Sequence, residues 1–220
     1  VGQAAAFGGR LSRERVENVM NRNWAGVKLA ALLLIAWPSV AYAHTGQAAV
    51  GFMSGLLHPV FGLDHFLAML SVGIVSAQLG GRRILTVPAT FVLAMIVGAT
   101  FGVHGQEWPF SEEGIALSVI VLGIAIATVK ESVSSWPVML VVALFGSLHG
   151  HAHGLELPRS ADPIYYAAGF LTSTATIHLL GVGIGHLFTT RSAFVALLRH
   201  MGSGMAGMGL MILLDSMAPK

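Results

Sequence analysis

Residues 46–79 read GQAAVGFMSGLLHPVFGLDHFLAMLSVGIVSAQL, and this stretch decides the fold. It is apolar almost throughout and too long for one membrane span of about 20 residues. His58-Pro59 interrupts it midway, and proline ends a helix at the residue before it. The stretch therefore predicts an inserted half-helix over about 47–57, a break at His58-Pro59 and a full helix over about 63–79. Non-helical backbone at membrane depth must lie against protein, since lipid satisfies none of its polar groups.

Outward from there, apolar runs recur at 84–103, 115–129, 138–148, 164–187 and 201–214, predicting spans over about 84–103, 113–130, 137–153, 164–188 and 201–217. Of 220 residues, 55% are hydrophobic and 10% charged, against about 25% charged in an average soluble domain. Mean hydropathy is +0.75. These figures exclude a soluble globular domain and predict an all-α polytopic membrane protein: a bundle of about six transmembrane helices with a short, broken first segment. No repeat, low-complexity tract or long linker divides it. Gly181, Gly183 and Gly185, and then Gly202, Gly204, Gly207 and Gly209, suit close helix approach. Met205, Met208 and Met211 between the latter read as packing residues.

Ahead of these spans, residues 20–43 carry a basic start (Arg22, Lys28), an apolar run, Pro38 and the ending Ala41-Tyr42-Ala43, which is a secretory signal peptide pattern. The alternative is an uncleaved first helix. Residues 1–19 are set aside as an extension or a mis-called start, and 44–220 as one membrane domain. With an exported amino terminus at His44, six crossings place Arg82, Arg83, Lys130, Arg191 and Arg199 inside, and Arg159, Lys220, Glu107, Glu112 and Glu113 outside, as the positive-inside rule requires. The pI of 9.3 comes from Arg10, Arg13, Arg15, Arg22 and Lys28 ahead of the first apolar run, so it is no nucleic-acid signal.

Cysteine is absent, which excludes disulfides, thiolate metal sites and cysteine nucleophiles. Histidines number ten, as many as Asp and Glu together. Two constellations hold half of them. His58, Asp64 and His65 lie within HPVFGLDH, inside apolar sequence, where a bare carboxylate is unfavourable unless it is paired or coordinated. The second is HGHAHGLE, in which His149, His153 and Glu156 share one helical face and His151 points roughly opposite. Nitrogen and oxygen donors without sulfur suit Ni, Co, Zn or Cu(II). The plainer alternatives are an Asp64–His65 helix cap and an exposed His-rich loop, since Gly150 and Gly154 weaken a helix.

His58, Pro59, Gly62, Asp64 and His65, followed by His149, Gly150, His153, Gly154 and Glu156, resemble the two signatures of the HupE/UreJ family of nickel permeases, over a region from about His44 to the carboxyl terminus. The resemblance implies a multi-pass bacterial inner-membrane permease with a periplasmic mature amino terminus. Its Ni²⁺, or Co²⁺, is transported substrate and no cofactor is permanently bound; the metal supplies hydrogenase or urease maturation. It also implies a histidine close to the cleaved amino terminus, matched by His44. The metal-handling residues are then His44, His58, Asp64, His65, His149, His151, His153 and Glu156. His178 and Thr174 are further pathway residues, on a polar stripe that either lines the route or bonds neighbouring helices. An oligomer is compatible with all of this. Without a Walker loop, movement follows a gradient or an ion.

Other classes fare less well. A haem-b membrane subunit pairs histidines from two helices, whereas these cluster within motifs. Transport of copper or zinc remains an alternative. An enzyme is not expected: Phe52 stands where a nucleophile elbow around Ser54 needs glycine, and no HExxH occurs.

Overall fold

The computed structural model describes residues 46–129, 133–158, 161–190 and 192–218. The expected extension, signal peptide and His44 lie outside them. The described residues form seven helices and no strand: α1 (Gly46–Phe61), α2 (Leu63–Leu79), α3 (Arg83–Val103), α4 (Ser111–Thr128), α5 (Ser135–Leu155), α6 (Pro163–Thr189) and α7 (Ser192–Ser216). From α3 onward each contains a segment long and apolar enough to cross a membrane. α1, at about 24 Å, falls short of the roughly 30 Å hydrocarbon core. It reaches the needed apolar length only together with α2, from which it is bent by 79°. The chain is an all-α polytopic membrane protein with a broken first segment.

The break is not at His58-Pro59. α1 runs through Pro59 to Phe61, and Gly62 alone turns the chain. Pro59 lies in the last turn, where its missing N–H forfeits one bond close to a helix end. The Gly62 N–H then closes α1 on the His58 carbonyl at 3.1 Å, and the Gly62 carbonyl opens α2 by accepting from Phe66 at 2.8 Å. Gly62 has φ −77° and ψ 103°, which any residue adopts. It gives room: a Cβ there would fall 3.1 Å from Nδ1 of His65, tighter than usual, and 3.4 Å from Oδ1 of Asp64.

α2 is the central helix. It touches α3, α4, α6 and α7 and buries Leu67, Met69, Val72, Ile74 and Leu79 against Phe91, Val119, Phe145, Ile177 and Leu198. The outer helices turn large apolar side chains away from the bundle, among them Leu85, Leu93, Ile164 and Met211. In lipid that exposure is favourable, so helix association rests on close packing. α3 packs along α5, α1 and α2 along α6, and α4 along α7. The first contact is equally close at Gly98 and Gly150, where a Cβ would lie 1.9 Å from the Ser147 and Met95 carbonyl oxygens respectively. Gly150 and Gly154, which weaken an isolated helix, therefore hold α5 against α3. Of the glycine stripes, Gly181, Gly185, Gly202 and Gly209 make such approaches, while Gly183, Gly204 and Gly207 have open space around them.

The last helix begins earlier than its apolar run. α7 starts at Ser192, so Arg199 and His200 lie within it. Both are exposed, whereas Leu198 and Met205 face the core. The helical period carries the charges off the bundle, and a long Arg stem can cover apolar surface while its head reaches water. α6 starts on a cap: Pro163 follows Asp162, whose Oδ1 accepts from the N–H groups of Ile164 and Tyr165 at 2.9 and 3.3 Å.

Candidate metal centre

The corner at Gly62 sets His58, in the last turn of α1, beside Asp64 and His65, in the first turn of α2. Asp64 gains from its place at a helix N-terminus. Its Oδ1 accepts from the His65 ring Nδ1–H at 2.6 Å and from the His65 backbone N–H at 2.8 Å. With Nδ1 committed, Nε2 of His65 keeps a free lone pair, and that atom is buried without a hydrogen-bond partner. A carboxylate fixing the far nitrogen of an imidazole is the usual support for a histidine ligand.

The end of α5 packs against this corner. The His153 ring centroid is 4.3 Å from that of His65 and 4.8 Å from that of His58, and the His149 ring is 5.1 Å from that of His65. Nε2 of His58 donates to Oε2 of Glu156 at 3.1 Å, and Nδ1 of His153 is 3.7 Å from the same oxygen. One donor atom each from His58, His153 and Glu156 lie within 4.8 Å of one another. Ligands on a common cation with bonds of about 2.1 Å are roughly 3 to 4 Å apart, so small side-chain movements close this set around an ion.

A gradient of exposure runs through the group. The Glu156 side chain is 52% exposed, His58 33% and His153 4%, and His149 is fully buried. Nδ1 of His149 donates to the Phe145 carbonyl at 2.9 Å, which leaves its Nε2 unpartnered, and both ring nitrogens of His153 are unpartnered too. Glu156 follows the end of α5, and the His58 hydrogen bond holds its carboxyl below the usual range, outweighing partial burial.

Of the residues singled out in the sequence, His58, Asp64, His65, His149, His153 and Glu156 come together. His151 does not join them. Its ring stacks on Trp108 with centroids 4.5 Å apart and planes within 1°, its Nε2 meets the Gln106 carbonyl, and its Nδ1 lies 3.2 Å from the Ser111 hydroxyl. Both nitrogens are used, one on the loop between α3 and α4 and one on the first residue of α4. His178 and Thr174 are buried on α6, beyond the cluster. His104 bonds the Thr100 carbonyl at 2.6 Å on an exposed surface.

Three aromatic residues of the site carry no metal-ligand signature in the sequence. Phe170 lies 4.1 Å from the His153 ring, Tyr166 lies 6.3 Å from the His58 ring with its hydroxyl buried and unpartnered, and Phe91 contacts His149 at 5.3 Å. A helical period was the available clue for two of them: Tyr166, Phe170, Thr174 and His178 recur every fourth residue along one face of α6.

Comparison with known proteins agrees with the motifs. A family model described as HupE / UreJ protein matches residues 31–212. The chain is 38% identical over 182 residues to Protein HupE of Rhizobium leguminosarum bv. viciae, covering 82% of this chain and 95% of that one. No solved structure matches. With a family model spanning most of its length and a full-length relative at this identity, the chain belongs to the HupE/UreJ family.

Proposed function

We propose that this protein is a permease, not an enzyme, that carries Ni²⁺, and Co²⁺ by the same chemistry, across the bacterial inner membrane into the cytoplasm. The observation that carries the reading is the meeting of the two sequence motifs, far apart in the chain, around one cluster of nitrogen and oxygen donors whose buried histidines each keep at least one unpartnered ring nitrogen. Glu156 and His58, on the exposed side, capture the cation with His153, and binding releases the proton that bridges them. His65 and His149 take it inward. Ring-to-ring separations of 4.3 to 5.1 Å let one ligand be replaced before the next is lost, so no stage holds the ion too tightly to release it. His44, which leader cleavage would leave at a periplasmic amino terminus, is a further donor in this reading. The cytoplasmic metal serves hydrogenase or urease maturation.

The test is nickel accumulation in cells producing the intact protein or His65→Ala at matched levels, with cobalt, copper and zinc as competitors. Loss of accumulation in the variant, with nickel and cobalt competing best, is the expected result. No rise in cellular nickel with the intact protein overturns the reading.

A further inference from the structure

Two polar side chains further along α6 have nothing to bond. His178 is 3% exposed and neither ring nitrogen has a partner; Thr174, one turn earlier on the same face, is 0% exposed and its hydroxyl is unpartnered. Other residues of these types in the bundle solve the problem locally. Thr172 and Thr176, on the same helix, donate to carbonyls four residues back at 2.7 and 2.8 Å. His149 uses its Nδ1 the same way at 2.9 Å. Thr174 and His178 forgo that bond. Buried polar groups are almost always paired, so three unpaired atoms on one buried face point to a ligand that pairs them.

Their position fits a route. Tyr166 and Phe170 are level with the outer cluster, and His178 lies about two helical turns beyond Phe170. Between the two regions Phe91 of α3, fully buried, has its ring 5.3 Å from both His149 and His178, tilted to the first and edge-on to the second.

We propose that His178 and Thr174 form a second, inner station for a divalent cation, reached from His149 past the ring of Phe91. One imidazole and one hydroxyl, completed by water, hold a cation more weakly than the outer cluster does, which suits a site that must pass its ion on. The proposal rests on the permease reading and adds a stage to it.

The experiment pairs two readouts on the full-length chain: initial Ni²⁺ uptake by cells at matched expression, and Ni²⁺ affinity of the purified protein. For His178→Gln, uptake is expected to fall at least about tenfold while affinity at the outer cluster stays near that of the parent. Thr174→Val, which keeps shape and removes the hydroxyl, lowers uptake by a smaller factor. Retained metal affinity shows that each variant is folded. Uptake at the parental rate in both variants overturns the inner station and leaves the permease reading intact. Loss of affinity in step with uptake in His178→Gln also overturns it, since His178 then only supports the outer cluster. A parent protein that neither binds nor accumulates nickel removes the permease reading itself.

Discussion

Oδ1 of Asp64 receives both the ring Nδ1–H and the backbone N–H of His65, at 2.6 and 2.8 Å, so one carboxylate oxygen sets the orientation and the tautomer of its neighbour. Asp64→Asn keeps the shape and removes the charge that makes the ring bond strong. Nickel uptake is expected to fall by about 10- to 100-fold, as for supports of metal-bound histidines elsewhere. Initial-rate uptake against nickel concentration measures it, and a rate equal to the parent's means that His65 is not held by Asp64 during transport.

His151, on α5, is tied to the residues that link α3 and α4. His151→Phe preserves the stack on Trp108 and removes the bonds to Gln106 and Ser111. Uptake is expected to stay near the parental level while stability drops by about 1 kcal/mol. A strong loss of uptake at unchanged melting temperature returns His151 to the ligands.

Gly150→Ala tests the contact between α3 and α5. Helix propensity alone favours alanine by about 1 kcal/mol. The Cβ, however, would lie 1.9 Å from the Met95 carbonyl oxygen, and backbone must move at a cost of about 1 to 3 kcal/mol. The melting temperature in detergent is expected to fall. Gly204→Ala, with nothing within 4 Å of the new Cβ, is the control and should be neutral or slightly stabilising.

Acid should inhibit transport through Glu156. The His58 hydrogen bond holds its carboxyl below the ordinary value of 4.5, so the carboxylate and its share of cation binding are present through neutral and mildly acid pH and are lost only as external pH falls through that lowered value. Initial-rate uptake at fixed nickel is expected to keep this Glu156-dependent part at about pH 5 and to lose it below. Equal uptake by Glu156→Gln and the parent at about pH 5 counts against Glu156 as a ligand.

The helices were legible in the sequence because lipid demands long apolar runs, and the residues that cluster because charge and imidazole are conspicuous inside such runs. The break falls later than the proline suggests because proline at 59 is tolerated in a final turn, while Gly62 leaves room beside Asp64 and His65. Arg199 and His200 looked like a boundary, since local hydropathy does not show that a helix can carry them on its outer face. His151 shares a motif with His149 and His153, yet its partners on the loop between α3 and α4 and on the first residue of α4 are tertiary and leave no mark near it. Tyr166, Phe170 and Phe91 are apolar or aromatic like most of the chain. Only their ring contacts with the histidines, set by the packing of α3 on α5 and of α6 on α1, single them out.

The cluster draws His58 from α1 and His153 and Glu156 from the far end of α5, with three helices threaded between. During synthesis the chain holds only part of this donor set until α5 has entered the bilayer and docked. Residues arriving first thus wait as an incomplete chelator, and competence to hold a cation appears late, together with the assembled bundle.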